Sequence, residues 1–178
     1  MGLARFIFYN LMGWQIKGKF DPHVKKAVII VVPHTSWHDF YIGVFTRRIL
    51  KVQINFIAKK ELFTPPFGWY FKWMGGAPLD RAPGQNKVQA IAKIFSEKDE
   101  FRLALSPEGT RKKVESWKTG FYYIARTANV PVIPVAFDYK TKSVLIGKPH
   151  YLTDDIVVDT KELQKHYNNV VGKKPEYS

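Results

Sequence analysis

Residues 27–39 read AVIIVVPHTSWHD, and this stretch decides the fold. Its first six residues are apolar and mostly β-branched, which predicts a strand that is buried on both faces. Pro33 ends that strand, and residues 37–50 predict a helix directly after it. A buried strand that leads into a helix is the first half of a βαβ unit, from which parallel sheets are built.

Along the rest of the chain, strand candidates alternate with helix candidates at spacings that fit βαβ crossovers. Strands are predicted at residues 53–58, 76–80, 101–105, 131–137 and 143–146, and helices at 85–97, 117–129 and 163–171. The pattern predicts an α/β fold with a mostly parallel central sheet and helices on both faces. The apolar segment 130–135 contains Pro131 and Pro134, which argue against a regular central strand there, and we expect this segment to wall a cavity.

The composition is that of a globular domain with an anionic partner. The 178 residues include 28 Lys and Arg but only 15 Asp and Glu, which gives a net charge of +13. Nucleic acid, an anionic membrane and a phosphorylated substrate are the partners that such a charge attracts. Cysteine is absent, which excludes disulfides, thiolate metal sites and a cysteine nucleophile.

The N-terminal segment is strongly apolar. Residues 3–15 predict a short helix, and a polar connector follows up to residue 26. The apolar part, residues 6–14, is much shorter than the ~20 residues that span a bilayer, and no small-residue cleavage site follows it. We therefore expect a retained amphipathic helix at a membrane surface, and we divide the chain into residues 1–26 and residues 27–178.

His34 and Asp39 stand where a parallel sheet places its reactive groups, beyond the carboxyl end of the first strand. Their spacing lets the chain fold back, so that the carboxylate can orient the imidazole as a general base. A turn histidine followed by a first-turn acid that complements the helix dipole would show the same spacing. A second histidine, His38, adjoins Asp39 and either competes for it or faces solvent.

Two further polar clusters carry arginines. Residues 106–111 (SPEGTR) follow the third clear strand, and Gly109 permits a tight turn that exposes backbone N–H groups. Arg111 offers a planar fork suited to phosphate, and Arg81, which ends the cluster 75–81, is a second candidate clamp. A solvated basic loop and a surface Asp-Arg turn are the alternatives.

In this order, the clusters resemble the glycerolipid acyltransferase family, typified by the 1-acylglycerol-3-phosphate acyltransferases. His34 to Asp39 matches the family's H-x-x-x-x-D motif, and residues 75–81 match its second block. Residues 107–111 match the third block and residues 130–134 the fourth, proline-containing block. The resemblance covers about residues 27–150.

The resemblance implies transfer of a fatty acyl group to the hydroxyl of a lysophospholipid, foremost 1-acylglycerol-3-phosphate. The donor would be the thioester of acyl-CoA or acyl-carrier protein, with no cofactor and no metal. His34 would be the general base and Asp39 its orienting partner. The acceptor hydroxyl would attack the thioester directly, without an acyl-enzyme.

The resemblance also assigns the binding residues. Arg81 and Arg111 would bind the phosphate of the acceptor. Glu108, Gly109 and Thr110 would shape that pocket.

Because lysophospholipids reside in bilayers, we expect a monotopic or peripheral enzyme on the cytoplasmic face of the cell membrane. Its partners would be an anionic membrane surface, the lysophospholipid acceptor and acyl carrier protein. Residues 63–74, rich in aromatics, are either a second membrane contact or core. No nucleic acid is expected, since no recognised binding motif is present. Another acceptor, such as a lyso-aminolipid, and a non-catalytic lipid-binding protein are the alternative functions.

Overall fold

The computed structural model describes residues 2–79 and 86–177. The strands of this part of the chain are β1 (Gln15–Lys17), β2 (Lys26–Val32), β3 (Phe56–Lys59), β4 (Gly76–Leu79), β5 (Phe101–Leu105), β6 (Val132–Asp138) and β7 (Ser143–Ile146). The α-helices are α1 (Leu3–Phe6), α2 (His38–Leu50), α3 (Gly68–Trp73), α4 (Lys87–Glu97), α5 (Gly120–Thr127) and α6 (Ile156–Gln164). A π-helical turn at Ile7–Leu11 continues α1, and 3₁₀ turns lie at Lys60–Phe63, Lys165–Tyr167 and Pro175–Tyr177.

Five strands form the central sheet in the order β1-β7-β6-β2-β5, and β3 and β4 form a separate parallel pair. Every neighbouring pair in the central sheet is parallel except β6 and β7. The predicted α/β fold with a mostly parallel sheet is confirmed.

The sheet has a core on each face, because the residues of β2 alternate between them. Val28 and Ile30 face a core with α4 and α5. Ala27 and Ile29 face a second core with α2 and the N-terminal segment. Helices therefore cover both faces, and the apolar run of β2 is explained by burial on both sides.

The expectation that residues 130–135 do not form a regular central strand is wrong, because residues 132–135 belong to β6, which lies between β2 and β7. Pro131 precedes the strand. Pro134 accepts a hydrogen bond at its carbonyl from Gly147 N–H at 2.8 Å, so its nitrogen faces the β7 side. The ladder with β7 begins one residue later, at Val135. The missing N–H of Pro134 therefore interrupts no rung of either ladder.

The N-terminal segment differs from the single helix predicted for residues 3–15. The helical turns end at Leu11, and Gly13 turns the chain with a φ of +70°. Residues 15–17 then join the sheet as the parallel edge strand β1. Phe8 and Trp14 are buried in the core, so this segment is tied to the sheet by side chains as well as by backbone pairing.

The last helix also lies elsewhere than predicted. It begins at Ile156, because the side chain of Asp155 caps it by accepting hydrogen bonds from Val157 N–H and Val158 N–H. Most of the predicted range 163–171 lies beyond the helix.

Candidate active site

His34 and Asp39 meet at the carboxyl end of β2. His34 is the second residue after the strand, following Pro33, and Asp39 lies in the first turn of α2. The Nδ1 atom of His34 is 3.0 Å from Oδ2 of Asp39. The aspartate side chain is buried at 1% exposure, whereas the imidazole is 28% exposed. The pairing leaves Nε2 as the ring nitrogen that can take up a proton.

Asp39 is held by more than the histidine. Its Oδ2 accepts a hydrogen bond from Ser36 N–H at 3.0 Å, and its Oδ1 accepts one from the Tyr139 hydroxyl at 2.7 Å. Burial and the neighbouring carboxylate raise the pKa of Tyr139 well above its ordinary value, so that it remains a donor. Sequence reasoning missed Tyr139, because no local pattern links two residues that lie 100 positions apart.

The loop after β5 docks onto the His34 loop through Glu108. Its Oε2 accepts hydrogen bonds from His34 N–H at 2.7 Å and from the Ser106 hydroxyl at 3.2 Å. Glu108 is buried, and this burial raises the pKa of its carboxyl group. The two loops that the sequence singled out thus come together, and Glu108 supports the main chain beside the imidazole.

Residues 109–111, which follow Glu108 in that loop, are exposed. Gly109 has a φ of +66°, and a Cβ there would lie 2.7 Å from Nζ of Lys118. The Thr110 hydroxyl accepts a hydrogen bond from Lys112 N–H at 3.3 Å. Arg111 lines the same cavity as His34. Arg81 lies outside the described residues.

His38 does not compete for Asp39. Its Nδ1 is 2.9 Å from the Ser36 hydroxyl, and its ring lies 3.9 Å from that of Trp37.

An apolar cavity of about 490 Å³ opens beside His34 and Asp39. Its walls come from β2, β6 and the face of α2 that follows Asp39, and they include Ile29, Val31, Gly43, Val44, Val135 and Phe137. The prediction that residues 130–135 wall an apolar cavity is confirmed at Val135. The lining also extends to Arg47, whose guanidinium donates to the carbonyls of Ile54 and Met74. The cavity therefore follows α2 for eight residues, about 12 Å of helix.

A second, more polar cavity of about 220 Å³ lies beside Glu108. Lys113 and Trp117 line it from the chain after β5, and Tyr167 and Tyr177 line it from the C-terminal segment. Glu108 thus lies next to both the imidazole and this second cavity. The His34 imidazole, the apolar cavity and the polar cavity are therefore neighbours in the structure.

The chain resembles known proteins over the part that builds this site. Residues 15–138 match the model of the family described as Acyltransferase. The 1-acyl-sn-glycerol-3-phosphate acyltransferase of Streptococcus pneumoniae is 31% identical over 136 residues, which are 71% of this chain and 50% of the relative. The enzyme of that name from Bacillus subtilis is 27% identical over 164 residues, which are 84% of this chain and 80% of the relative.

The Escherichia coli protein of the same name is 26% identical over 128 residues, which are 68% of this chain and 51% of the relative. The chain thus spans about half the length of the S. pneumoniae and E. coli relatives. The family match contains β1 to β6 and both loops that meet at His34. On these grounds, the chain belongs to the acyltransferase family.

Proposed function

We propose that this chain transfers a fatty acyl group from a thioester to the hydroxyl of a lysophospholipid, foremost 1-acylglycerol-3-phosphate. The observation that carries the proposal is the His34–Asp39 pair at the mouth of an apolar cavity of about 490 Å³. The names of the bacterial relatives support the same acceptor. A non-catalytic lipid-binding protein would need the cavity but not a His–Asp pair beside it.

The proposed reaction uses His34 as a general base. Asp39 holds Nδ1, so Nε2 takes the proton of the acceptor hydroxyl while that oxygen attacks the thioester carbonyl. The tetrahedral intermediate then collapses, the carbon–sulfur bond breaks, and the imidazolium returns the proton to the departing thiolate. An ester and a free thiol result, and no acyl-enzyme forms.

The apolar cavity is the proposed site of the donor's acyl chain. Burial of each methylene contributes about 0.8 kcal/mol, so each added carbon should strengthen binding about fourfold until the cavity is full. Acyl-CoA and acyl-carrier protein present the same chain and thioester. Both carriers are acidic, and the net charge of +13 favours either.

The acceptor's phosphate is assigned to the basic side of the site. Arg111 lines the cavity that contains His34, and Lys113 lines the polar cavity beside Glu108. A guanidinium binds a phosphate through two parallel hydrogen bonds. A lyso-aminolipid lacks that phosphate, which makes the acceptor preference a direct test of this assignment.

The protein is further proposed to work as a peripheral enzyme on an anionic membrane surface. No described helix is long and apolar enough to cross a bilayer. Phe67, Trp69 and Trp73 on or beside α3 are exposed, as are Leu3 and Leu11 at the N-terminal turns. Exposed Trp and Phe beside basic side chains favour the bilayer interface.

Both exposed sets flank the same helix. Phe8 of the N-terminal turns packs on Phe45 of α2, with ring centroids 6.0 Å apart. Arg47 of α2 donates to the carbonyls of Trp73 and Met74, at the end of α3. Both exposed sets therefore lie near the carboxyl-terminal half of α2.

The function is tested by measuring acyl transfer in mixed micelles with a long-chain acyl-CoA or acyl-carrier protein. The acceptors are 1-acylglycerol-3-phosphate, a lyso-aminolipid and, as the matched control without phosphate, 1-acylglycerol. We expect the phosphorylated acceptor to react fastest. Transfer to the lyso-aminolipid alone would make that lipid the acceptor in place of 1-acylglycerol-3-phosphate. No transfer from either donor to any lysolipid would contradict the proposal.

The membrane contact is tested by co-sedimentation with vesicles that contain phosphatidylglycerol. Replacing Trp69 and Trp73 by serine should weaken the binding. The control is Tyr151→Ser, because Tyr151 is as exposed as Trp69 (69% and 71%) but follows His150, which pairs with Val132 at the amino end of β6. Equal binding of the wild type, the variant without the two tryptophans and Tyr151→Ser would contradict the assignment of this surface.

A further inference from the structure

We propose that Tyr139 is a positioning residue for the acyl transfer, holding Asp39 in the orientation that aligns it with His34. This inference rests on the function proposed above. Tyr139 lies outside every motif block that the sequence singled out, and it is the first residue after the family match at 15–138. Its role is therefore visible only in the folded chain.

Asp39 has three hydrogen-bonding partners among the described residues. His34 Nδ1 and Ser36 N–H both lie on Oδ2, at 3.0 Å each. The Tyr139 hydroxyl lies on Oδ1, at 2.7 Å. It is the one donor to Oδ1 among the described residues. A carboxylate that is held at both oxygens cannot rotate about its χ2 angle, so Tyr139 maintains the alignment of Oδ2 with the imidazole.

Tyr139 is itself held from both ends of the chain. The ring of Trp14, which precedes β1, packs edge to face against its ring with centroids 4.9 Å apart. Its backbone N–H donates to the carbonyl of Val171 at 2.8 Å. Val171 N–H in turn donates to Oδ1 of Asp138 at 3.3 Å. The hydroxyl therefore reaches Asp39 from a side chain whose ring and backbone are both anchored.

Removing the hydroxyl changes the charge balance around His34. The titratable groups that face Asp39 are His34, Tyr139 and, at longer range, the carboxylate of Glu108. In Tyr139→Phe, the ring that packs on Trp14 remains, but no donor holds Oδ1. The carboxylate can then turn about its χ2 angle and lose its alignment with the imidazole, so it stabilises the protonated ring less.

Two readouts follow from this change. The acidic limb of the kcat/KM profile should move to lower pH, and kcat should fall about tenfold, since a hydrogen bond to a charged group is lost and the imidazole becomes a weaker base. The KM for the acceptor should not change, because Tyr139 is not among the residues that line either cavity.

The matched control is Tyr122→Phe. Tyr122 is also buried, and its hydroxyl donates to the carbonyl of Thr153 at 2.8 Å. That variant loses a tyrosine hydrogen bond of similar geometry outside the site. It should lower the Tm without moving the pH profile or kcat.

A readout that is independent of turnover is the NMR titration of the His34 ring, assigned by its loss in His34→Ala. We expect its midpoint to fall in Tyr139→Phe and to stay unchanged in Tyr122→Phe. An unchanged midpoint in Tyr139→Phe, or an unchanged pH profile and kcat, would overturn the positioning role. If the wild type transfers no acyl group but the midpoint moves, the proposed function fails, while the coupling of Tyr139 to His34 stands.

Discussion

Two histidines of this molecule are paired with buried aspartates, and the two pairs have almost the same geometry. His34 Nδ1 lies 3.0 Å from Asp39, and His150 Nε2 lies 2.9 Å from Asp159. The imidazoles are 28% and 25% exposed, and both aspartate side chains are 1% exposed. Distance and burial do not distinguish the pairs, so neither quantity identifies a catalytic site.

The surroundings of the two pairs differ. His150 forms a backbone bridge with Val132 at the amino end of β6, and neither of the two cavities includes His150 or Asp159. Asp159 accepts two further hydrogen bonds from the backbone and hydroxyl of Thr153. The second pair therefore ties α6 to the sheet, whereas the first lies between an apolar cavity and a docked basic loop. Position in the fold therefore distinguishes the proposed base from a structural tie.

The largest expected difference between the pairs is in turnover. His34→Ala should reduce kcat/KM by about 10²–10⁴-fold, the usual contribution of a general base. His150→Ala should leave the rate per folded molecule unchanged. Steady-state acyl transfer by the two variants gives both kcat/KM values. Losses of similar size in both would contradict a special role for His34.

The next effect concerns the arginines near each pair. Arg111→Ala should lower kcat/KM for a phosphorylated acceptor about 10–100-fold, mainly through KM, because a charge-assisted hydrogen bond to phosphate is lost. Arg126→Ala is the matched control, since Arg126 pairs with Asp154 close to the second histidine. Equal acceptor KM values for both variants and the wild type would exclude Arg111 as the phosphate clamp.

A smaller effect should appear in stability at the second pair. Asp159→Asn loses the charge that accepts from His150 and Thr153, and the free energy of unfolding should fall by about 1.5–3 kcal/mol. Urea unfolding measures the change, with kcat per folded molecule as the control. A loss of kcat without a loss of stability would give the second pair a catalytic role.

The smallest effect concerns the cavity that distinguishes the first pair. Gly43 lies inside α2, and a Cβ there would have one neighbour, the Phe137 ring at 3.8 Å. Gly43→Ala should stabilise the protein by about 0.5–1 kcal/mol. The methyl group also takes space from the cavity, so the preference should shift to a slightly shorter acyl chain. An unchanged preference for acyl-chain length would show that the donor's acyl chain does not bind beside Gly43.

Much of the site could be predicted from sequence, because its parts are local. The run of β-branched residues in β2 requires burial on both faces, and the polar residues that follow it must lie at the carboxyl edge. The five-residue spacing of His34 and Asp39 spans a single turn into α2. The loop around Glu108 follows a second strand of the same parallel sheet and therefore ends beside it. The expectation that Arg81 lies beside these residues stays a prediction.

What the sequence did not indicate depends on contacts between distant segments. The N-terminal prediction missed β1, because three residues carry little periodicity and a partner strand 128 positions away, β7, determines the pairing. The prolines of β6 suggested an irregular segment, yet the side to which Pro134 turns its nitrogen depends on β7. Tyr139 was missed for the same reason.

Residue types and short spacings along the chain were enough to establish the class of fold and the family, and to predict His34 as a base with Asp39 as its partner. The tertiary structure alone decided which of two similar His–Asp pairs opens onto a cavity. It also decided that Tyr139 holds Asp39 and that Glu108 supports the backbone of His34. Both contacts join residues that are far apart in the chain and meet only through packing, so no local pattern encodes them.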